Sequence, residues 1–175
     1  VKLYVSGYSV RKGAFVLNGH DASVIACLAV AGGIAPGGSL RDIKIKRLDG
    51  TVLTFDLYDF LMKGVLPPEF KYLKDGDIIF IPRKGKEVSI DGAVKNPAVY
   101  ELLPDENLAT LIQYAGGMCR NANTDVVQLL RIGAEKTLQL QDCPITGNNF
   151  AVPLEDQDMV YIFKVPDEKI AKVVD

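Results

Sequence analysis

The sequence predicts an α+β protein in which one small unit, a sheet packed on a single main helix, is written twice in tandem. Three observations carry that reading. A set of landmarks recurs in the same order in the two halves of the 175-residue chain. Each half combines short period-2 runs with one stretch of helical spacing. The halves meet at Arg83-Lys84-Gly85-Lys86-Glu87, a charged stretch after Pro82 where the apolar pattern stops and restarts.

The landmarks are specific. Val5 through Phe15 matches Val88 through Tyr100 in its order of β-branched residues, glycine, turn and aromatic, with Gly7 answered by Gly92. Ala31-Gly32-Gly33 is echoed by Ala115-Gly116-Gly117, Ile45-Lys46-Arg47 by Leu129-Leu130-Arg131, and Asp75-Gly76-Asp77-Ile78 by Asp156-Gln157-Asp158-Met159. One such match arises by chance between amphipathic segments; four in one order argue for duplication. The expected domains are residues 1–83 and 84–166, followed by a tail, 167–175, that reads as a helix turning toward a further domain.

Within the first unit, Val1, Leu3 and Val5 alternate with Lys2, Tyr4 and Ser6, the pattern of a strand with one buried face, which Gly7 ends. Ala14 to Leu17 forms a second strand. Asp21 or Ser23 caps a helix whose apolar residues Val24, Ile25, Leu28 and Ala31 share one face, and Gly32 stops it. Ile43–Leu48 and Thr51–Phe55 flank Asp49-Gly50, a pair suited to a type I′ hairpin turn. Leu57 to Lys63 reads as a short helix, Pro67-Pro68 as a loop, and Asp77 to Ile81 as the last strand. The second unit repeats the order with Val88–Val94, Ala98–Leu102, a helix from about Glu106 to Tyr114, Val126–Arg131, Thr137–Leu140 and Met159–Phe163. It has no counterpart of the short helix, and Gln141 to Asn149 reads as loop.

Composition narrows the function. At 48% hydrophobic and 24% charged the chain has the composition of an ordinary globular protein, which excludes disorder for most of its length. Twenty Lys and Arg against 22 Asp and Glu leave a net charge of -2, so no global field draws it to nucleic acid. The longest apolar run, Ser23 to Ala35, falls short of the roughly 18 residues that cross a bilayer. Cys27, Cys119 and Cys143 are odd in number and lack a C-x-x-C, so no disulfide framework or thiolate zinc site is expected. Val1 stands where an initiator Met would be, which reads as a segment of a longer protein whose targeting information lies elsewhere.

Catalytic chemistry finds little support. The single histidine, His20, sits at a helix entrance beside Gly19 and Asp21, and no G-x-S-x-G accompanies it. The glycines at 32–33 and 37–38 follow a helix rather than open one, so they read as chain reversal, not as a phosphate cradle. Asp75, Asp77, Asp156 and Asp158 lack the further ligands of a calcium loop and read as polar turns entering strands. Lys44, Lys46 and Arg47, with Arg83, Lys84 and Lys86, read as a solvated strand face and a linker. Cys119 beside Arg120 has too little support for an activated thiol. With no Trp, a lectin-like pocket is not written here. The contact candidates left over are Tyr8, Arg11 and Lys12 in the first turn, Tyr72, and Arg120, Asn121 and Asn123 in the loop after the second helix.

Gly7 to Phe15 and Gly92 to Tyr100, each followed by a helix ending Ala-Gly-Gly, then an R-x-x-G-type hairpin and a D-G-D-x-I-x-I-P strand, resemble soluble ligand-binding β-grasp (SLBB) domains, in the tandem form found in bacterial polysaccharide export proteins of the outer-membrane auxiliary class. The resemblance covers about residues 5 to 163. It implies two β-grasp (ubiquitin-like) units, each a mixed sheet on one main helix, in a periplasmic, outer-membrane-associated protein. It further implies a non-enzymatic role without cofactor or metal, homo-oligomeric ring assembly, other export-machinery proteins as partners, and a passing polysaccharide. Two other readings stand beside it: a module that binds a saccharide or other soluble ligand through the loops after the two Ala-Gly-Gly turns, and an accessory β-grasp domain of a redox complex, which the missing cysteine clusters disfavour.

Overall fold

Along the first strand, β1 (Lys2–Gly7), Leu3 and Val5 are buried while Lys2 and Tyr4 face solvent, so the period-2 alternation becomes an inner and an outer sheet face. A computed structural model describes residues 1–147 and 149–165 and divides the chain between Lys84 and Gly85 into two compact units. The tail reading, 167–175, lies outside the described residues.

The first unit continues with β2 (Gly13–Val16), α1 (Val24–Val30), β3 (Ile43–Lys46), β4 (Val52–Phe55), α2 (Leu57–Lys63), α3 (Pro68–Lys71) and β5 (Ile78–Ile81). The second holds β6 (Lys86–Gly92), β7 (Ala98–Leu102), α4 (Leu108–Tyr114), β8 (Ala122–Ile132), β9 (Leu138–Pro144) and β10 (Met159–Lys164). The sheets have the orders β2-β1-β5-β3-β4 and β7-β6-β10-β8-β9, the same path traced twice. In each, only the first and last strands of the unit run parallel, β1 with β5 and β6 with β10. These are mixed five-stranded sheets of the β-grasp kind, as the α+β reading expects.

The helices supply the other half of each core. Ser23 accepts a hydrogen bond from the Ala26 amide and caps α1, whose Val24, Cys27 and Leu28 pack with Leu3, Val5, Ile43, Ile45, Phe55 and Ile79. Asn107 caps α4, which buries Leu108, Leu111 and Ile112. Each such aliphatic side chain removed from water contributes about 1.5–3 kcal/mol.

The parallel strands close each unit with little space to spare. Gly7 has φ +82°, and a Cβ placed on it would lie 2.1 Å from the Ile81 carbonyl oxygen. Gly92 repeats this with φ +91° and 2.2 Å to the Ile162 carbonyl oxygen. The backbone there needs both the positive φ and the missing side chain.

A carboxylate brace secures the other end of the same strand pair. Asp75 accepts from the Lys2 amide at 2.7 Å and Asp156 from the Glu87 amide at 2.8 Å. Asp77 and Asp158, both 1% exposed, accept from the Lys74 and Glu155 amides at 2.8 and 2.7 Å. These residues do enter strands from turns, but two of them are buried acids with arginine partners. Arg131 donates to Asp158 from Nε and Nη2 at 2.8 and 2.7 Å, which raises the guanidinium pKa through that hydrogen bond. Arg47 stands in the same place, yet its Nε lies 4.0 Å from Asp77 and has no hydrogen-bond partner.

Three local expectations change. The Arg47 amide donates to the Thr51 carbonyl and the Gly50 amide to the Arg47 carbonyl. Of Asp49 and Gly50 only Gly50 has positive φ, 86°. The turn is therefore a three-residue loop ending in a left-handed residue, not type I′. Asp49 instead accepts from the Thr51 amide at 2.8 Å, and hydrogen bonds from the Thr51 side chain and then its backbone lower its pKa. Residues 141–144 belong to β9, not to a loop: Cys143 pairs with Val127 on the core side, while the apolar Leu138 and Leu140 face solvent, so ladder pairing with the long β8 sets this strand. Pro68, suited to the first turn of a helix, starts α3 where a loop was expected.

Two substitution series test these contacts. Gly7→Ala and Gly92→Ala each add a clash with backbone to a strained φ and should cost at least about 2 kcal/mol. Gly50→Ala, with open space around it, should cost only about 1 kcal/mol; denaturant midpoints give the comparison. Arg131→Met removes the partner of a buried carboxylate and should cost about 3 kcal/mol, whereas Arg47→Met, whose ion pair is long, should cost clearly less.

Candidate functional site

Beyond the Gly7 and Gly92 closures, both units build the same end. The Tyr8 amide donates to the Ile81 carbonyl at 2.8 Å, and the turn then docks on the loop after α1: the Val10 and Arg11 amides donate to the Gly33 and Ala31 carbonyls at 3.1 and 2.9 Å. In the second unit the Ala93 amide donates to Ile162 at 2.8 Å, and the Lys95 and Asn96 amides to Gly117 and Ala115 at 3.1 and 2.9 Å. Isolated bridges join Ser9 to Ile34 and Val94 to Met118, and in the first unit Gly38 to Arg83. Each Ala-Gly-Gly sequence thus holds the turn between the first two strands of its own unit.

The side chains at these ends are cationic. Residues 7–13, 31–39 and 81–84 contain no Asp or Glu, and neither do 92–97, 115–122 or 162–165. Exposed Lys12 and Arg83 lie in the first set, and exposed Lys95, Arg120 and Lys164 in the second. Among the described residues none of these five has an ion-pair partner. These exposed cations favour an anion, while Asp42 borders the first set and the exposed Asp91 and Asp125 border the second.

The candidate residues have distinct places. Tyr8 is 41% exposed and lies over Gly37, where a Cβ would meet its ring at 3.3 Å. Arg11 donates from Nη2 to the Val30 carbonyl, satisfying the last turn of α1 with a cation where the helix dipole favours one. Lys12 stands in the same turn. In the second unit Arg120 is exposed, the Asn121 carbonyl accepts from the Val165 amide at 2.7 Å, and Asn123 accepts from the Asp125 amide at 2.8 Å, shaping the start of β8. The fold therefore gathers Tyr8, Arg11 and Lys12 at one end and Arg120, Asn121 and Asn123 at its counterpart. Tyr72, 64% exposed, follows α3 and belongs to neither of these turn-and-loop segments. Sequence reasoning passed over Lys95 and Lys164 and assigned Arg83 to a linker. The lack of any acid across three segments that converge only in the fold is the signal that could have found them.

Among the described residues no three His, Cys, Asp or Glu side chains come together as a metal site, and no helix is long and apolar enough to cross a membrane. His20 is exposed in the turn before α1. Cys27 lies in the core, where burial pushes its thiol pKa up to about 11. Burial also raises that of Cys143, against a smaller downward pull from Arg131. Cys119 is half-buried in the loop after α4.

Comparison with known proteins agrees with this architecture. Residues 88–141 match the family model described as SLBB domain, a span from β6 into β9. Two curated relatives, both polysialic acid transport protein KpsD from Escherichia coli, are each 34% identical over 102 residues, which is 58% of this chain and 18% of theirs. The chain spans under a fifth of the length of these relatives. The family match lies within the second unit, and the likeness is to an SLBB domain and to proteins named for polysialic acid transport.

The cysteines provide a test of the packing. Near pH 8, alkylation of the native chain should reach Cys119 at least about tenfold faster than Cys27 or Cys143, as peptide mapping would show. Because the Cys27 pKa is raised on folding from an ordinary 9.0 to about 11, its contribution to stability is complete below about pH 9 and is lost as pH rises toward 11. Cys27→Ala should flatten that alkaline decline in denaturation midpoint.

Proposed function

We propose that this chain is a non-enzymatic module of a periplasmic, outer-membrane-associated capsular or exopolysaccharide export protein, in which the two units pack within a ring-forming oligomer and offer their turn-and-loop ends to a passing polymer. The observation that carries the proposal is the repetition of one cationic turn-and-loop end on the same backbone hydrogen bonds in a chain with an SLBB match. Exposed Lys and Arg side chains hold an anionic or hydrogen-bonding polymer weakly, because each contact is screened by salt. Many weak contacts around a ring raise the local concentration of polymer without trapping it. The relatives' name assigns polysialic acid transport to them, and their acidic cargo suits such ends. A second reading, a module that retains a soluble saccharide, is favoured by the exposed ring of Tyr8 beside Arg11 and Lys12.

The test uses the full-length protein in cells that depend on it for export. Replacing Lys12, Arg83, Lys95 and Arg120 together by Ala should lower surface polymer by about tenfold or more, while the stability of the chain changes by no more than about 1 kcal/mol. Export at the original level would contradict the proposed role of these ends. Saturable binding of a short oligosaccharide to the isolated chain, lost in Tyr8→Ala, would favour the second reading.

A further inference from the structure

The duplicated sheet contains its own control, because equal strand register identifies equivalent positions. Lys46 pairs with Ile78 and Val52 as Leu130 pairs with Met159 and Leu140. Lys44 pairs with Phe80 and Thr54 as Gln128 pairs with Tyr161 and Asp142. Ser6 and Phe80 correspond likewise to Asp91 and Tyr161. All of these residues lie on the outer, helix-free face of their sheets.

In the first unit this face is basic, and lysines stand over two of its aromatic rings. Lys2 lies 5.4 Å from the ring centre of Tyr4 and Lys46 4.9 Å from that of Phe80, while Lys44 pairs with Asp42 at 2.6 Å. In the second unit the lysines are gone: Leu130 stands for Lys46, Gln128 for Lys44 and Glu87 for Lys2. What remains is a groove of about 540 Å³ floored by Val99, Leu130, Leu140, Met159 and Tyr161, with Asp91 in its wall. Leu138 beside it and Leu140 in its floor are 68% and 63% exposed. Core packing requires neither leucine, and water disfavours both. At the matched outer positions 2/87, 6/91, 44/128, 46/130 and 54/142 the first face has lysines, with Asp42 beside Lys44 as a neighbouring acid, and the second has Glu87, Asp91 and Asp142 and no cation.

From this complementarity we infer that the outer sheet face of the second unit is the docking surface for the outer sheet face of the first unit of a second copy of this chain. The inference rests on the oligomeric part of the proposed function and specifies its contact. Leu138, Leu140 and Tyr161 supply the apolar centre, and Asp91 and Asp142 the rim that meets Lys2 and Lys46. Because each copy carries one face of each kind, the contact is head-to-tail and closes into a ring or extends as a filament.

Sedimentation velocity of the 175-residue chain at low salt tests this. The chain should associate with rising concentration, and Leu140→Lys and Lys46→Glu should each weaken association at least about tenfold. Mixed together, the two variants should form dimers and nothing larger, because each retains the face that the other has lost. Leu138→Lys repeats the test if Leu140→Lys lowers the melting temperature. A chain that stays monomeric overturns the inference, as does association insensitive to either variant or a mixture that fails to dimerise. Loss of association in Leu140→Lys with none in Lys46→Glu would mean that the second face pairs with something other than the first, which also overturns it. Polymer display by the full-length protein reads the export proposal separately, so a monomeric chain beside intact export defeats the interface alone.

Discussion

The passage of Gly7 beneath the Ile81 carbonyl, and of Gly92 beneath that of Ile162, is the constraint on which the rest of each unit depends. A parallel pair between the first and last strands of a unit is a long-range contact that local sequence does not enforce. Here it is completed where the chain comes so near that only glycine fits. The next amide, Tyr8 or Ala93, donates to the same carbonyl. That bond aims the turn at the end of the helix and the loop after it, where the Ala31 and Gly33, or Ala115 and Gly117, carbonyls accept it. The cationic end follows from strand closure and has no separate scaffold.

The strand pair also has a chemical direction. At the end where the chain enters the last strand, Asp75 and Asp77, or Asp156 and Asp158, turn their oxygens onto backbone amides and an arginine. At the opposite end the turn and loop segments that meet carry no acid, and lysines and arginines stand in solvent. Carboxylates are spent internally where they brace the fold, and cations are left outward where a polymer could meet them. The second unit completes its buried pair, Arg131 with Asp158, while the first leaves Arg47 at arm's length from Asp77. Equal folds need not hold their buried charges equally well.

Much of this was legible because duplication wrote each signal twice. The four ordered landmarks, the Ser23 cap and the strand alternation all read from one sequence, since each depends on contacts near in the chain or on a strict period. Other features escaped for physical reasons. Whether Asp49 or Gly50 takes the left-handed conformation depends on the loop length that the flanking ladder permits. Residues 139–143 have no apolar alternation that marks a buried strand, so β9 exists through its pairing with β8. The candidate site was half visible: Tyr8, Arg11, Lys12 and Arg120 fall near motifs, but Arg83, Lys95 and Lys164 join them only when three segments converge. The exchange of Lys46 for Leu130 acquires meaning only once strand register makes the two positions equivalent.

The two copies have kept their closures and braces and diverged on their outer faces, as expected when backbone geometry is held by sterics and surface chemistry is left to function. Amide hydrogen exchange at Tyr8 and Ala93 tests the closure most directly. Both amides should exchange only through global opening of their own unit, as slowly as core amides such as those of β5 and β10. Exchange of either at the rate of exposed turn amides would contradict the account, because the end it supports would then form and dissolve independently of the sheet.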